Sequence, residues 1–337
     1  GARVTVADTR EAPPQLAALR AALPDAQFVH GALDAALLQP HRPDLLLKSP
    51  GLSPAQVAPV VDAARAEGIT VAGELDLFAG ALAGLRESLA YAPQILAVTG
   101  TNGKTTVASL TAQLVERAGK TVALAGNIGP TLLDTLAQQL DSNALAQVWV
   151  IELSSFQLAD MADTARIGDA QPAAAALEAT AACVLNVSQD HLDWHGNMAA
   201  YTHAKARVFG AQALMVLNRD DPVVMAMLPA PAKGRPARRS TSVGAGVPQL
   251  PGEFGLECIN GMVWLVRAQE RDPTIKLRKG QVADDLHFQR LMPAEALRIR
   301  GRHNAVNALT ALALAAAAGC TLAPLLFGLR EYRGEPH

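Results

Sequence analysis

A chain of 337 residues, half of them hydrophobic and 18% charged, has the balance of a soluble globular protein and is too long for one typical domain, so two are expected. Its formal net charge of -2 leaves no positive excess to neutralise a phosphodiester backbone, which argues against nucleic-acid binding. The three cysteines, Cys183, Cys258 and Cys320, stand far apart without metal-ligand spacing, as reduced thiols of a cytoplasmic protein do.

The chain opens without a methionine or a signal peptide, and residues 4–7 read directly as an alternating strand, so it is expected to begin inside a domain. Up to about residue 92, short apolar runs at 4–7, 27–29, 45–47 and 69–72 alternate with helical stretches such as 55–67. That alternation predicts a parallel sheet with helices on its faces. Ligands bind at strand ends in such sheets, and two ends here are polar: Asp8-Thr9-Arg10 and Lys48-Ser49-Pro50-Gly51. Asp8 could accept from a ribose hydroxyl and Arg10 could face a phosphate; an ordinary turn with a helix cap explains the same residues equally well.

The most informative stretch is 95–106. An apolar run, Ile95 to Val98, delivers the chain to Thr99-Gly100-Thr101-Asn102-Gly103-Lys104-Thr105-Thr106, and helical periodicity follows at Val107, Leu110 and Leu114. A turn whose backbone N–H groups face a polyphosphate, backed by the positive end of a helix, is a phosphate-binding loop. Lys104 would hold the outer phosphates and Thr105 would ligate magnesium. The usual loop has four residues between its glycines, whereas Gly100 and Gly103 enclose only Thr101 and Asn102, so this is a shortened variant.

This loop belongs to a second α/β unit with strands expected near 95–98, 121–125, 147–152, 183–187 and 213–217. The strand at 148–151 ends in Glu152, a carboxylate able to reach a magnesium ion beside the loop. Residues 190–195 then pack Asp190, His191, Asp193 and His195 together, and His191, nearest the strand end, is the first choice as a metal or phosphate ligand. A helix over 198–209 carries Tyr201, Ala204, Val208 and Phe209 on one face, with Lys205 in the middle of that face. Burial would lower the pKa of Lys205 and let a neutral amine capture carbon dioxide as a carbamate; snorkelling to solvent is the other outcome, and the sequence leaves both open.

Between 240 and 300 the pattern becomes β-rich. Residues 256–259 and 262–266 flank Asn260-Gly261, a two-residue hairpin signal, and 268–289 reads as a mobile surface loop. Arg302-His303-Asn304-Ala305-Val306-Asn307 opens an alanine-rich helix. Its most apolar part, 305–319, is shorter than the roughly 20 residues a membrane span needs and reads as buried. Asn304 and Asn307 lie three apart on one face, where paired amides could read a purine edge; capping accounts for Asn304 but poorly for Asn307.

Taken together, Thr99 to Thr106, Glu152-Leu153-Ser154-Ser155, Asp190-His191-Leu192-Asp193-Trp194-His195-Gly196, Lys205 and His303-Asn304-Ala305-Val306-Asn307 resemble, in order and spacing, the Mur ligases, a family of ATP-dependent amide ligases. Ser154-Ser155-Phe156-Gln157-Leu158 after Glu152, Gly126-Asn127-Ile128-Gly129, Asp8-Thr9-Arg10 and Ser49-Pro50-Gly51 resemble its D-glutamate-adding members, and the resemblance spans nearly the whole chain. It implies an α/β fold with an incomplete Rossmann-like N-terminal domain over 1–93 and a P-loop-type central ATPase domain with a β-rich insertion over 94–334. Residues 335–337 would begin a hinge to a third, Rossmann-like domain that is absent.

The implied reaction adds D-glutamate to UDP-N-acetylmuramoyl-L-alanine through an acyl phosphate, with ATP hydrolysed to ADP and phosphate. Gly100 to Thr106 would hold ATP, Asn304 and Asn307 its adenine. Thr105 and Glu152 would hold one magnesium ion, His191 and carbamylated Lys205 a second. Asn127, Ser154, Gln157 and His191 would line the muramoyl-alanine site, and Asp8, Thr9, Arg10, Ser49, Pro50 and Gly51 would face the UDP moiety. A monomer in the cytoplasm, without membrane or nucleic-acid partners, is expected.

Several features depart from the family pattern. The glycine loop expected before Gly1, the arginine expected after His337 and the third domain with its D-glutamate site are missing, so the chain as written is expected not to ligate. The stretches 165–180 and 265–295 are longer than the family pattern and have no assigned role. Other amide ligases of this architecture, folylpolyglutamate synthetases included, are disfavoured by Ser154-Ser155-Phe156-Gln157. A nucleotide-binding regulatory or transport module, the rival of a different class, would not need Lys205.

Overall fold

Strand-length apolar runs beyond residue 93, the central ones buried on both faces, assemble into one large sheet. The computed structural model describes residues 2–161, 177–231, 234, 236–270 and 286–335. Its strands are β1 (Thr5–Asp8), β2 (Gln27–His30), β3 (Leu45–Leu47), β4 (Thr70–Ala72), β5 (Gln94–Thr99), β6 (Val122–Gly126), β7 (Val148–Glu152), β8 (Ala181–Val184), β9 (Leu214–Asn218), β10 (Ser240–Val243), β11 (Phe254–Ile259), β12 (Met262–Glu270) and β13 (Leu286–Pro293).

Nine of these strands form a sheet in the order β13-β12-β11-β10-β9-β8-β5-β7-β6. Pairing is parallel from β6 to β11 and antiparallel across β11, β12 and β13. From β5 the chain passes to β6, comes back as β7 between them, and then crosses to the other side of β5 as β8. Thus β5 stands at a reversal of strand order, where the crevice beyond the strand ends is open to a ligand. The register aligns those ends: Val98 opposes Glu152, Thr99 opposes Val184, and Gly126 opposes Glu152.

Two apolar layers cover the sheet. On one face the helices Lys104–Arg117 and Arg302–Ala317 pack together over Leu96, Val98, Val150 and Val216. Val107, Leu110, Leu114 and Val115 of the first helix are fully buried, each worth about 2 kcal/mol of transfer free energy. The second helix is buried through most of its length, as its run of alanine and leucine predicts. On the other face Trp149, Ile151, Leu153, Phe78 and Tyr201 form the core.

The N-terminal residues differ from expectation in one respect. Their pairings are parallel, but β1-β2 and β3-β4 form two separate two-stranded sheets. Each strand has three or four residues, mostly exposed or half-buried, and the apolar core here is the small cluster of Leu38, Val57, Val60, Val61 and Ala64. Strands that short hold few ladder bonds and little apolar area to extend a sheet.

The hairpin at Asn260-Gly261 forms as expected, both residues at positive φ (50° and 79°), with Ile259 paired to Met262. Its neighbourhood is more ordered than the composition suggested. Residues 268–270 continue β12 and 286–289 begin β13, with Ala268 opposite Phe288, while the middle of the expected loop, 271–285, lies outside the described residues, as do 162–176. All three cysteines are free, Cys183 and Cys320 buried and Cys258 exposed. Among the described residues, no helix is long and apolar enough to cross a membrane.

Candidate active site

The loop at 99–106 leaves β5 at Thr99, and Thr101 and Asn102 are tied to the segment that follows β8. Thr101 N donates to Asn186 O, and Asn102 exchanges two hydrogen bonds with the Asn186 side chain (2.9 and 3.0 Å). The Thr101 hydroxyl lies 3.1 Å from the Tyr201 hydroxyl and accepts from Ser188 N at 3.0 Å. Gly103, at φ 85°, starts the Lys104–Arg117 helix, and a Cβ there would meet the Asn307 amide at 3.3 Å and Leu185 at 3.5 Å. The helix N-terminus thus stays open toward the loop, with Thr105 and Thr106 half-buried in its first turn.

Two lysines converge on this loop. Lys104 Nζ donates to the carbonyls of Gly100 (3.2 Å) and Thr101 (3.1 Å), and Lys205 Nζ donates to the same Gly100 carbonyl at 2.8 Å. Carbonyl dipoles orient these ammoniums without neutralising them, which leaves positive charge for a polyphosphate. Lys205 is buried, 2% exposed, with its ammonium 4.6 Å from the centre of the Tyr201 ring, so the snorkelling alternative does not hold. Desolvation, reinforced by the nearby Lys104 charge and opposed by Asp190, pushes its pKa down to about 7, where a substantial fraction of neutral amine exists.

Glu152 lies on the other side of the loop, 2% exposed at the end of β7. Asn127 holds it twice: its backbone N–H donates to Glu152 O (2.8 Å) and its side-chain amide to Oε1 (3.0 Å). That approach requires Gly126, which has φ 123° and would place a Cβ 2.3 Å from the Glu152 carbonyl oxygen. Gly126→Ala is expected to destabilise the fold by about 3 kcal/mol or more, read as a drop in the urea midpoint at unchanged m-value.

Ser154 and Gln157 form a reciprocal cap on the helix Ser155–Asp160. Ser154 N and Oγ donate to Gln157 Oε1 (2.9 and 3.1 Å), and Gln157 N donates to Ser154 Oγ at 3.1 Å. This helix presents Phe156 to the 191–195 turn, where the ring lies 4.7 Å from His191, 4.9 Å from Trp194 and 5.7 Å from His195. His191, in a left-handed backbone conformation and paired to Asp190 at 3.4 Å, is half exposed and lies 6.4 Å from the Tyr201 ring. Tyr201 therefore touches the surroundings of both His191 and Lys205. His195 Nε2 is 3.0 Å from Ser155 Oγ; burial, with the His191 and Lys205 charges adding, pushes its pKa down to about 4, so the ring is neutral at neutral pH.

The helix Arg302–Ala317 brings Asn307 against Gly103, and Asn307 Nδ2 donates to Asn304 Oδ1 at 3.2 Å. The two amides therefore act as a pair beside the loop, while Asn304 Nδ2 donates to Arg300 O. At the N-terminal strand ends, Ser49, Gly51, Thr9 and Arg10 are exposed and Pro50 and Asp8 are half-buried. Arg10 holds Asp8 through three hydrogen bonds of 2.8 to 2.9 Å, which lowers the carboxylate pKa to about 2. Asp8 is thereby kept ionised and turned toward its own arginine.

Among the described residues, no group of three or more His, Cys, Asp and Glu side chains is placed to hold a metal ion by itself. The oxygen donors at the loop, the Glu152 carboxylate and the Thr105 hydroxyl, suit magnesium, which commonly takes one or two protein oxygens and completes its shell with phosphate and water. Sequence reading missed Asn186, the anchor of Asn102, and the hydroxyl link between Thr101 and Tyr201. An asparagine two residues beyond a central strand was the available signal for the first.

Residues 98–249 match the Mur ligase middle domain, and residues 1–73 match the Mur ligase MurD-like, N-terminal domain. The UDP-N-acetylmuramoylalanine--D-glutamate ligase of Albidiferax ferrireducens is 62% identical over 341 residues, spanning all of this chain and 65% of that protein. That of Polaromonas sp. is 50% identical over 427 residues, spanning all of this chain and 70% of its own length. The chain thus spans about two thirds of the length of these curated relatives. Among solved structures, a UDP-N-acetylmuramoyl-L-alanyl-D-glutamate--2,6-diaminopimelate ligase aligns over 99% of this chain and 63% of its own, with TM-score 0.57 and 20% identity. The Neisseria meningitides UDP-N-acetylmuramate:L-alanyl-gamma-D-glutamyl-meso-diaminopimelate ligase aligns over 99% and 91%, with TM-score 0.54 and 18% identity, a likeness of fold. With both domain models and whole-chain relatives in agreement with the loop and its surroundings, the chain belongs to the Mur ligase family.

Proposed function

We propose that the protein is an ATP-dependent, ADP-forming amide ligase that joins D-glutamate to UDP-N-acetylmuramoyl-L-alanine in peptidoglycan precursor synthesis. The observation that carries this reading is the convergence of Lys104 and Lys205 on the Gly100 carbonyl at the head of the parallel strands, opposite the buried Glu152. The names of the relatives, both D-glutamate ligases acting on UDP-N-acetylmuramoylalanine, support the choice of amine and acceptor.

In this reading the backbone of Gly100 to Gly103, with Thr101 and Asn102, cradles the phosphates of ATP, and Lys104 leaves its carbonyl acceptors to hold the outer ones. Asn304 and Asn307 face the adenine region. Thr105 and Glu152 would hold a magnesium ion, and His191 with Lys205 a second; bound there, magnesium would supply charge stabilisation for the transferring phosphoryl group. Lys205 serves as a carbamate: its neutral amine forms an N–C bond to carbon dioxide and loses a proton, converting a buried cation into an anion.

The substrate carboxylate attacks the γ-phosphorus, the bond to the β-phosphate oxygen breaks, and ADP leaves. The amine of D-glutamate then attacks the acyl carbon, and phosphate departs from the tetrahedral intermediate with the electrons of the C–O bond as the amine loses its proton. Asn127, Ser154, Gln157 and His191 line the muramoyl-alanine site. Asp8, Thr9, Arg10, Ser49, Pro50 and Gly51 face the UDP moiety, with Asp8 acting through Arg10. Residues 1–93 and 94–334 act as the substrate and ATPase domains of a cytoplasmic monomer without nucleic-acid or membrane partners.

The test is phosphate release from ATP and magnesium with UDP-N-acetylmuramoyl-L-alanine, using the protein at its full encoded length and comparing D-glutamate, L-lysine, meso-diaminopimelate and D-alanyl-D-alanine. Release with D-glutamate alone is expected. Release with another amine would keep the ligase chemistry and change the donor, and turnover indifferent to every amine would overturn the ligase reading.

A further inference from the structure

Lys48 is the last residue before the Ser49-Pro50-Gly51 turn, continuing β3 with its N–H donated to Ala72 O. Its side chain crosses to the central sheet's helices instead of reaching solvent. Lys48 Nζ lies 2.5 Å from Asp160 Oδ2, and the two side chains are only 9% and 11% exposed. The same ammonium sits 5.1 Å from the centre of the Trp194 ring. One buried cation thus joins three segments: the 49–51 turn, the helix that Ser154 and Gln157 cap, and the 192–195 turn stacked on Phe156.

The connection continues to the lysine at the loop. Arg207, two residues beyond Lys205, donates to the carbonyls of Ala159 (3.0 Å) and Met161 (2.6 Å), on either side of Asp160. The gap around the ion pair, lined by Lys48, Pro50, Gly73, Glu74, Gln157 and Asp160, measures about 10 Å³, which holds at most about one water. No ligand group fits there, so Lys48 acts through the segments it holds and not by touching a substrate.

We propose that Lys48 is a positioning residue for the nucleotide-sugar substrate: its ion pair with Asp160 beneath Trp194 sets the spacing between the Ser49–Gly51 turn and the Ser154–Gln157 wall of the site. The inference rests on the ligase reading above. A buried pair is a poor source of net stability but fixes geometry, because either partner left alone is an uncompensated buried charge. The side chain is therefore better placed to specify a spacing than to add stability.

The experiment compares wild type, Lys48→Met and Lys48→Met/Asp160→Asn at full encoded length, by thermal melting and by separate KM values for UDP-N-acetylmuramoyl-L-alanine and ATP. Lys48→Met is expected to raise the nucleotide-sugar KM about tenfold while leaving the KM for ATP unchanged. The double variant, which removes both charges, is expected to regain the melting temperature but not the KM. A nucleotide-sugar KM within about twofold of wild type in Lys48→Met, or one that the double variant restores together with the melting temperature, would overturn the proposal and leave a structural ion pair. Calorimetry of wild type with UDP-N-acetylmuramoyl-L-alanine separates the two readings, since absence of binding would overturn the ligase assignment itself.

Discussion

Lys104→Met is expected to lower ATP-dependent phosphate release about 10²–10³-fold or more while leaving the melting temperature unchanged. The reason is a division of labour visible at the loop. The Lys104 stem is half-buried beside the helix start, and methionine reproduces its length and apolar contacts, so packing survives. Only the ammonium is lost, and that group is held by two carbonyls and by no carboxylate among its hydrogen bonds. A cation stationed in this way contributes to charge that develops on a phosphoryl group and little to the resting fold. Steady-state phosphate release and a thermal melt on the same preparation check both halves; a variant that keeps its turnover would remove Lys104 from the chemistry.

Lys205→Met is expected to act in opposite directions on stability and activity. Before any carbon dioxide is added, the wild-type amine has one hydrogen-bond acceptor, the Gly100 carbonyl, and a ring face beside it, which does not replace the hydration of a full charge. Its folded pKa near 7 against an ordinary 10.5 means that, between these values, the unfolded chain carries a proton the folded chain lacks. Stability therefore rises as pH climbs from about 7 toward 10.5, and below pH 7 the penalty is present in full, on the order of 5 kcal/mol at its upper limit. Methionine removes that penalty at some cost in hydrogen bonding, so the variant should gain about 1–3 kcal/mol at pH 6–7 and lose this advantage by pH 10. Ligase turnover should fall about a hundredfold or more, since neither ammonium nor carbamate can form. Urea melts across pH and the phosphate-release assay test the pair of effects, and a variant less stable than wild type at pH 6 would contradict the account.

These effects show which parts of the site could be read from residue order. The strand, turn and helix of residues 95–117 were legible because their signals are local: an apolar run, two glycines and a lysine followed by two hydroxyls lie within twelve residues, and the helix that follows shows its own periodicity. The place of Glu152 was legible for a related reason, since the apolar run before it marks the buried strand that it closes. The hairpin at Asn260-Gly261 is encoded by the positive φ both residues adopt. Lys205 was visible as a charge on an apolar face, but its fate depended on distance to a loop a hundred residues earlier, which helical spacing does not contain.

Where the reading differed from the structure, the cause was pairing between segments. The N-terminal strands were placed correctly but not their division into two small sheets, because each strand's pattern says that it pairs and not how far the sheet extends. Residues 268–270 and 286–289 looked like loop by composition, yet pairing across β12 and β13 holds them as strands. For Asp8 and Arg10 the sequence left a ligand role and an ordinary turn equally open, and the structure adds a pairing between them that neither reading contained.

The sequence by itself determined the α/β class, the loop, the strand-end carboxylate and the family to which the chain belongs, because each depends on residues close together along the chain or on periodicity within one element. Tertiary structure alone decided that Lys104 and Lys205 share one carbonyl, that Asn127 grips Glu152 and that Lys48 reaches Asp160. Those contacts join residues brought together by strand order and register, and burial then lowers the pKa of Lys205 and raises that of Asp160, shifts that no local pattern of residues carries.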